Sequence, residues 1–476
     1  MPYAPPFGNV GPDKQVFIYG AMSIWKGQIP YKTFFDHKPP LIFLLLSLAW
    51  PLKAWGYFGL GVLSKWVASL FLYKTGQKML LVNVWLFPLI FLICLLPPFI
   101  LISGTLTREY TACFLAILFS VILLNQGEKY ILTGFICALI FHMQQEELLL
   151  AFPFVMYHLF NQTKQGSRNP VQLILKRIGM MIIGFSLLTI PLLLWIAVNG
   201  ALADYWEQSY LFNLLVYESR RPILYKVTAA FQILFHSRYL FLVFPLLIIH
   251  GYYIIRATNV SLHVTSFFTI LFALISKTFA GRIFDHFAAF HYLLTVSAIV
   301  TVSAIIVFKE WQPFFSKRYL SPLSFTFAAG LFFVMWKNSF HNIIKRKHSD
   351  IGLQVEDLTK ELQKIRNKDG QLYVMGSTPF LALNNNLNVL SPTKWIYTTQ
   401  YRQHLINFDT DGRVIKEIIA GLDRYRTTYV LDFYKLQPVD KKDFQEQWED
   451  YLKKNYTELY QKDNFILFKR KINDAN

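Results

Sequence analysis

Apolar runs of about 18–22 residues recur through the first two thirds of this chain. A run of that length in lipid has no water to satisfy its backbone N–H and C=O groups, so it must close its own hydrogen bonds as a helix. A soluble enzyme of 476 residues does not carry such runs, and here they come with 54% hydrophobic and 17% aromatic residues. The chain therefore reads as a polytopic α-helical membrane protein. Candidate spans are roughly 57–73, 79–102, 108–124, 130–143, 147–160, 177–198, 236–255, 262–279, 286–308 and 319–337. The pair 130–143 and 147–160 is short for a hydrocarbon core of about 30 Å, which implies tilt or burial against neighbours.

The formal net charge of +18 raises nucleic acid as a partner. Yet the Lys and Arg residues fall in loops and in the tail, with no basic helix or nucleic-acid-binding fold to organise them. Membrane loops account for them better. Threading the spans alternately puts Lys74, Lys78, Lys129, Lys164, Arg168, Lys176, Arg177, Arg256, Lys309, Lys317 and Arg318 on one side, which is then the cytoplasm. The other face receives the opening loop, 103–109, 142–147, 199–235, 277–286 and everything after 338. Residues 40–56 are apolar enough to cross, but crossing would move the opening loop to the cytoplasm. They are read as a re-entrant or membrane-parallel helix that returns near Trp55-Gly56. Cys94, Cys113 and Cys137 all lie in apolar segments, so no disulfide framework is expected. The first residues lack the apolar core of a cleavable signal peptide.

Three domains follow: an external loop with an interfacial helix (1–39), a transmembrane part (40–337) and a soluble C-terminal domain (338–476). In the first, Val16-Phe17-Ile18, Ala21-Met22 and Ile24-Trp25 recur at helical spacing and predict a short amphipathic helix along the interface. A second interfacial helix is expected in 199–235. In the last, a charged amphipathic helix (350–367) precedes a strand at 371–376. A helix near 411–424, a strand at 428–433, a helix at about 440–454 and a closing strand at 464–468 complete a small α/β domain.

The polar residues cluster at one rim of the membrane part, where charged groups are usually functional. The opening loop reads Gly11-Pro12-Asp13-Lys14, then Gly27-Gln28-Ile29-Pro30-Tyr31, then Asp36-His37-Lys38-Pro39-Pro40. This order resembles the first external loop of the GT-C glycosyltransferases, such as the protein O-mannosyltransferases and the lipid A aminoarabinose transferases. The resemblance implies a GT-C-like fold of about ten to twelve transmembrane helices with a small extracytoplasmic C-terminal domain. It implies an inverting enzyme of the bacterial inner membrane, moving a sugar from a polyprenyl-phosphate donor to a lipid, glycan or protein acceptor, with membrane lipids as surroundings and no nucleic acid.

On this resemblance Asp13 is the catalytic base, since the acceptor hydroxyl must lose its proton as it attacks the anomeric carbon. The plain alternative is an Asp that caps the helix after Pro12. Family members often show two acidic residues in tandem here, whereas Asp13 is followed by Lys14. Lys38 would hold the leaving carrier phosphate, or else simply snorkel. Asp36 and His37 are substrate-binding candidates beside it.

Thr107-Arg108-Glu109-Tyr110 has an ordinary helix-start signature. The resemblance instead gives Glu109 a catalytic role and Arg108 a phosphate contact. Glu109 and His37 are the candidate ligands for a divalent metal cofactor, with no diagnostic spacing. Gln144 and Glu146 are candidates for sugar binding, with a structural role equally open. Gly281-Arg282-Ile283-Phe284-Asp285-His286 is similar to a Gly-Arg…His-Tyr element of bacterial members. Arg282 would meet the phosphate and His286 the sugar, or both would anchor a helix start. A transporter of lipid-linked saccharides should show inverted repeats and charges near the midplane; no such repeat is seen, and the acidic groups cluster at one rim. A noncatalytic assembly protein would not need clustered carboxylates at the membrane surface.

Overall fold

The computed structural model describes residues 12–95, 106–124, 129–160, 169–214, 240–256, 260–279, 294–314, 350–365, 368–375, 380–396, 411–433, 442–462 and 465–471, with a few single positions between 228 and 333. It divides into two compact units. One takes Met1–Tyr3, Tyr57–Leu193 and Ser219–Arg346; the other takes Ala4–Gly56, Leu194–Glu218 and Lys347–Asn476.

The described part of the first unit is helical: Lys53–Lys78 from Tyr57 onward, Leu86–Cys94, Leu106–Leu124, Tyr130–Met143, Leu148–Phe160, Pro170–Val198 as far as Leu193, Leu240–Arg256, Ser261–Phe279 and Val296–Trp311. One expected span needs correction. Residues 79–85 are turns, with Leu80 in the left-handed region at φ 56°, so the second span becomes helical only at Leu86. Of the span expected over 286–308, residues 286–293 lie outside the described residues, and the chain is helical from Val296. The candidate span 319–337 lies mostly outside the described residues.

Two described helices are both long and apolar enough to cross a membrane by length and composition. Leu106–Leu124 sits in the core, with 83% of its apolar window buried, whereas Pro170–Val198 has only 17% buried. Ile182, Ile183, Leu187 and Ile190 on that second helix are each more than half exposed. A contiguous apolar face of this kind is a lipid or partner surface rather than a water surface.

The Tyr130–Met143 and Pro170–Val198 helices meet at two glycines. A Cβ on Gly134 would overlap the Met181 carbonyl, and one on Gly184 would overlap the Ile131 carbonyl. Small residues that let backbones approach are the usual device of helix pairing in lipid. His142 Nε2 and Thr189 Oγ1, 2.9 Å apart, add a polar tie between the same helices. Gly184→Val is expected to force them apart at a cost of about 1–3 kcal/mol. A lower melting temperature of the purified protein in detergent would show it, and unchanged melting would deny the close crossing.

The second unit opens with the helix Pro12–Trp25. Its amphipathic expectation is corrected: residues 14–23 are buried on every side. Phe17 and Phe34 both pack on Phe43, at 6.0 and 5.2 Å between ring centroids. Gly20 lets the helix pass so close that a Cβ there would overlap the Phe43 ring. The nine-residue helix Leu41–Ala49 carries Phe43 and ends in the 3-10 turn Trp50–Leu52. Nine residues rise about 14 Å, too short to cross a core of about 30 Å. Beyond it the chain folds back until Gly56 lies against the Ala49 carbonyl, where no side chain would fit.

The rest of this unit is a four-stranded sheet with helices. Strands β1 (Leu372–Met375), β2 (Tyr429–Asp432), β3 (Tyr456–Lys462) and β4 (Phe465–Arg470) lie in the order β1-β2-β4-β3. β1 and β2 are parallel, while β4 runs antiparallel to both its neighbours. Their connection carries the helices Leu381–Leu387 and Arg413–Arg424, and Asp350–Glu361 and Lys442–Asn455 complete the set. Leu381–Leu387 and β3 are absent from the sequence reading. Three consecutive Asn residues argue against a helix, but Asn384 and Asn385 are buried, bonding Val389 O at 3.2 Å and Gln15 Oε1 at 2.8 Å. In β3, Leu459 and Tyr460 stay exposed, as expected of an edge strand with little apolar pattern.

Candidate active site

The Asp36-His37-Lys38 loop is anchored through its backbone at several points. Asp36 is fully buried and its Oδ1 accepts from the Lys38 N–H at 2.8 Å. Tyr31 donates its hydroxyl to the Lys38 carbonyl at 2.7 Å. Burial pushes the Tyr31 hydroxyl well above the ordinary tyrosine range, so it remains a donor at any physiological pH.

A second segment clamps the loop from outside. The short helix Leu202–Trp206 continues into a π-helical turn, Glu207–Leu211, a feature frequent at functional sites. Gln208, on that turn, accepts from the Asp36 N–H at 3.2 Å and donates to Tyr31 O at 2.7 Å. Asn213 donates to His37 O at 2.7 Å. The His37 and Phe212 ring centroids are 6.1 Å apart. Lys38 is left half-buried, its Nζ 5.0 Å from the Phe17 ring centroid. The loop thus presents a lysine from a fixed backbone, with Asp36 serving as a brace.

The same unit ties this loop to the α/β domain. Phe35 N–H donates to Lys394 O at 2.7 Å, and the Phe35 ring stacks on Trp395 at 5.3 Å. Lys26 Nζ meets Asp369 Oδ1 at 2.6 Å. Tyr19 OH accepts from the Ser391 N–H at 2.7 Å. Asp13 is the second residue of the Pro12–Trp25 helix, in its first turn rather than at a cap before it. A negative charge is favoured there by the helix dipole.

In the other unit, Arg108 and Glu109 are buried in the first turn of the Leu106–Leu124 helix. Glu109 Oε2 pairs with Lys65 Nζ at 2.7 Å. Lys65 is the functional candidate that the sequence reading missed; a lone lysine inside the 57–73 run was the signal for it. Gln144 is buried and donates to Glu146 at 2.8 Å. Glu146 itself is exposed, whereas its neighbour Glu147 is fully buried. Arg282 and His286 lie outside the described residues. Among the described residues no three His, Cys, Asp or Glu side chains stand together as a metal site. Glu109 and His37, the candidate metal ligands, fall in different units.

A solved structure with this fold is that of ArnT from Cupriavidus metallidurans bound to undecaprenyl phosphate. It matches with a TM-score of 0.62 at 9% identity, covering 100% of this chain and 96% of that one. At that identity the likeness is one of fold. No protein-family model matches the chain, and no curated protein does.

Proposed function

We propose that this protein is an integral-membrane glycosyltransferase, moving a sugar from a polyprenyl-phosphate-linked donor to an extracytoplasmic lipid, glycan or protein acceptor with inversion. The observation that carries this reading is the full-length likeness to a structure described as bound to undecaprenyl phosphate. In the reaction Asp13 takes the proton of the acceptor hydroxyl as its oxygen attacks the anomeric carbon. The bond to the carrier phosphate breaks on the opposite face. Lys38, Arg282 and Arg108 stabilise the leaving phosphate. Glu109, oriented by Lys65, helps place the acceptor, while His37, Gln144, Glu146 and His286 meet the sugar.

The membrane part on this reading has about ten to twelve spans, in a bacterial inner membrane, with the α/β domain outside. The opening segment, 194–218 and the C-terminal domain form one compact unit, which a bilayer could not divide, and this supports placing all three on one side. A reporter active only outside the cytoplasm, fused after Lys337, should be active. Cytoplasmic signal there would overturn the topology.

Carrier recognition is tested by native mass spectrometry of the purified protein with undecaprenyl phosphate and with the phosphate-free alcohol. The phosphate should bind selectively. Lys38→Gln should weaken it by about 10- to 150-fold, the worth of a charge-assisted hydrogen bond. The loop survives that change because its bonds run through the backbone. Equal binding of the alcohol would count against the reading.

A further inference from the structure

A half-open cleft of about 610 Å³ lies within the second unit, between the opening segment and the α/β domain. The transferase reading makes no use of it. Its volume falls in the range of small-molecule sites. Polar side chains line it, among them Gln28, Thr33 and Thr393, with Lys32, Arg424 and Tyr425 at its walls.

Two features of the cleft point to a ligand. The first is its charge. The lining carboxylates are already matched: Asp369 by Lys26 at 2.6 Å, and Glu417 by the Trp395 indole N–H at 2.7 Å and Lys394 at 3.7 Å. Lys32 bonds only a carbonyl, Asn199 O at 2.9 Å, and Arg424 stands exposed on the last turn of its helix. Two cations are therefore left to face the cleft without a carboxylate among the described residues. The second feature is Tyr425, 44% exposed. Its ring packs against Gly370, at φ 77°, so closely that any side chain there would collide with it. The ring is held against a glycine while it still reaches solvent, which offers a platform for the apolar face of a sugar ring.

We propose that this cleft binds an acidic saccharide, its sugar ring resting on Tyr425 and its carboxylate or phosphate met by Arg424 and Lys32. The binding stands independently of the transferase reading. If that reading holds as well, the saccharide belongs to the acceptor, because Tyr425, Arg424 and Lys32 are none of the residues assigned to the donor.

Isothermal titration of the purified full-length protein tests it. The probes are a glucuronate-containing disaccharide, a neutral disaccharide of the same size, an acidic tetrapeptide and inorganic phosphate. The acidic disaccharide should bind best. Arg424→Gln should weaken it by at least about tenfold and leave the neutral disaccharide little changed, while Tyr425→Ala should weaken both sugars. Both side chains are exposed, so folding is retained. Equal binding of the two disaccharides would overturn the anionic part. Binding of the peptide or phosphate as tightly, unaffected by Tyr425→Ala, would overturn the saccharide part.

Discussion

Asp13→Asn should lower sugar transfer by about 10²–10⁴-fold, the usual worth of a general base, while carrier binding and expression persist. Asn keeps the size and most of the hydrogen bonding but cannot accept a proton. The Pro12–Trp25 helix is held by the packing of Phe17, Tyr19 and their aromatic neighbours. A first-turn carboxylate with only a dipole role would cost about 0.3–1 kcal/mol of stability when neutralised, with turnover nearly normal. The two outcomes lie far apart. Near-normal transfer would move the base to Glu109 or Asp36.

The largest expected effect on stability lies at Lys65. Its removal takes from the buried Glu109 carboxylate the cation at 2.7 Å, and breaking one side of such a pair costs about 3–5 kcal/mol. The Lys65 side chain is 18% exposed, which places the expectation at the lower end. Lys65→Met should therefore lower the melting temperature in detergent markedly. Lys65→Met combined with Glu109→Gln should recover much of the loss, because an apolar or neutral pair of similar volume removes the unmatched charge. A double variant no more stable than the single one would mean that the pair is not the stabilising contact.

The elements legible in the sequence were those with a strong local pattern. Residues 429–432 and 465–470 are β-branched and aromatic runs, and 413–424 has a clean apolar stripe, so all three stood out. The helix 381–387 did not, because its Asn residues are justified only by partners such as Gln15, more than 300 residues away. For the same reason no local pattern marks Gln208 as the brace of the Asp36 loop. The apolar spacing of Val16 to Trp25 marks a helix but not what covers its other face, where Gln15 and Ser23 are buried as well. In the candidate site, the Asp36-His37-Lys38 cluster was legible as a group, but its division of labour was not. That depends on a carboxylate turned inward to the backbone and a lysine left outside.

The central claim is that a sugar leaves a polyprenyl phosphate on this protein. Purified protein in vesicles, given undecaprenyl phosphate carrying a radiolabelled monosaccharide together with a membrane extract as acceptor, tests it most directly. The label should leave the carrier in proportion to enzyme, appear on an acceptor with inverted anomeric configuration, and stay on the carrier with Asp13→Asn. Label that remains on the carrier with active wild-type protein, across a panel of carrier-linked sugars, would contradict it.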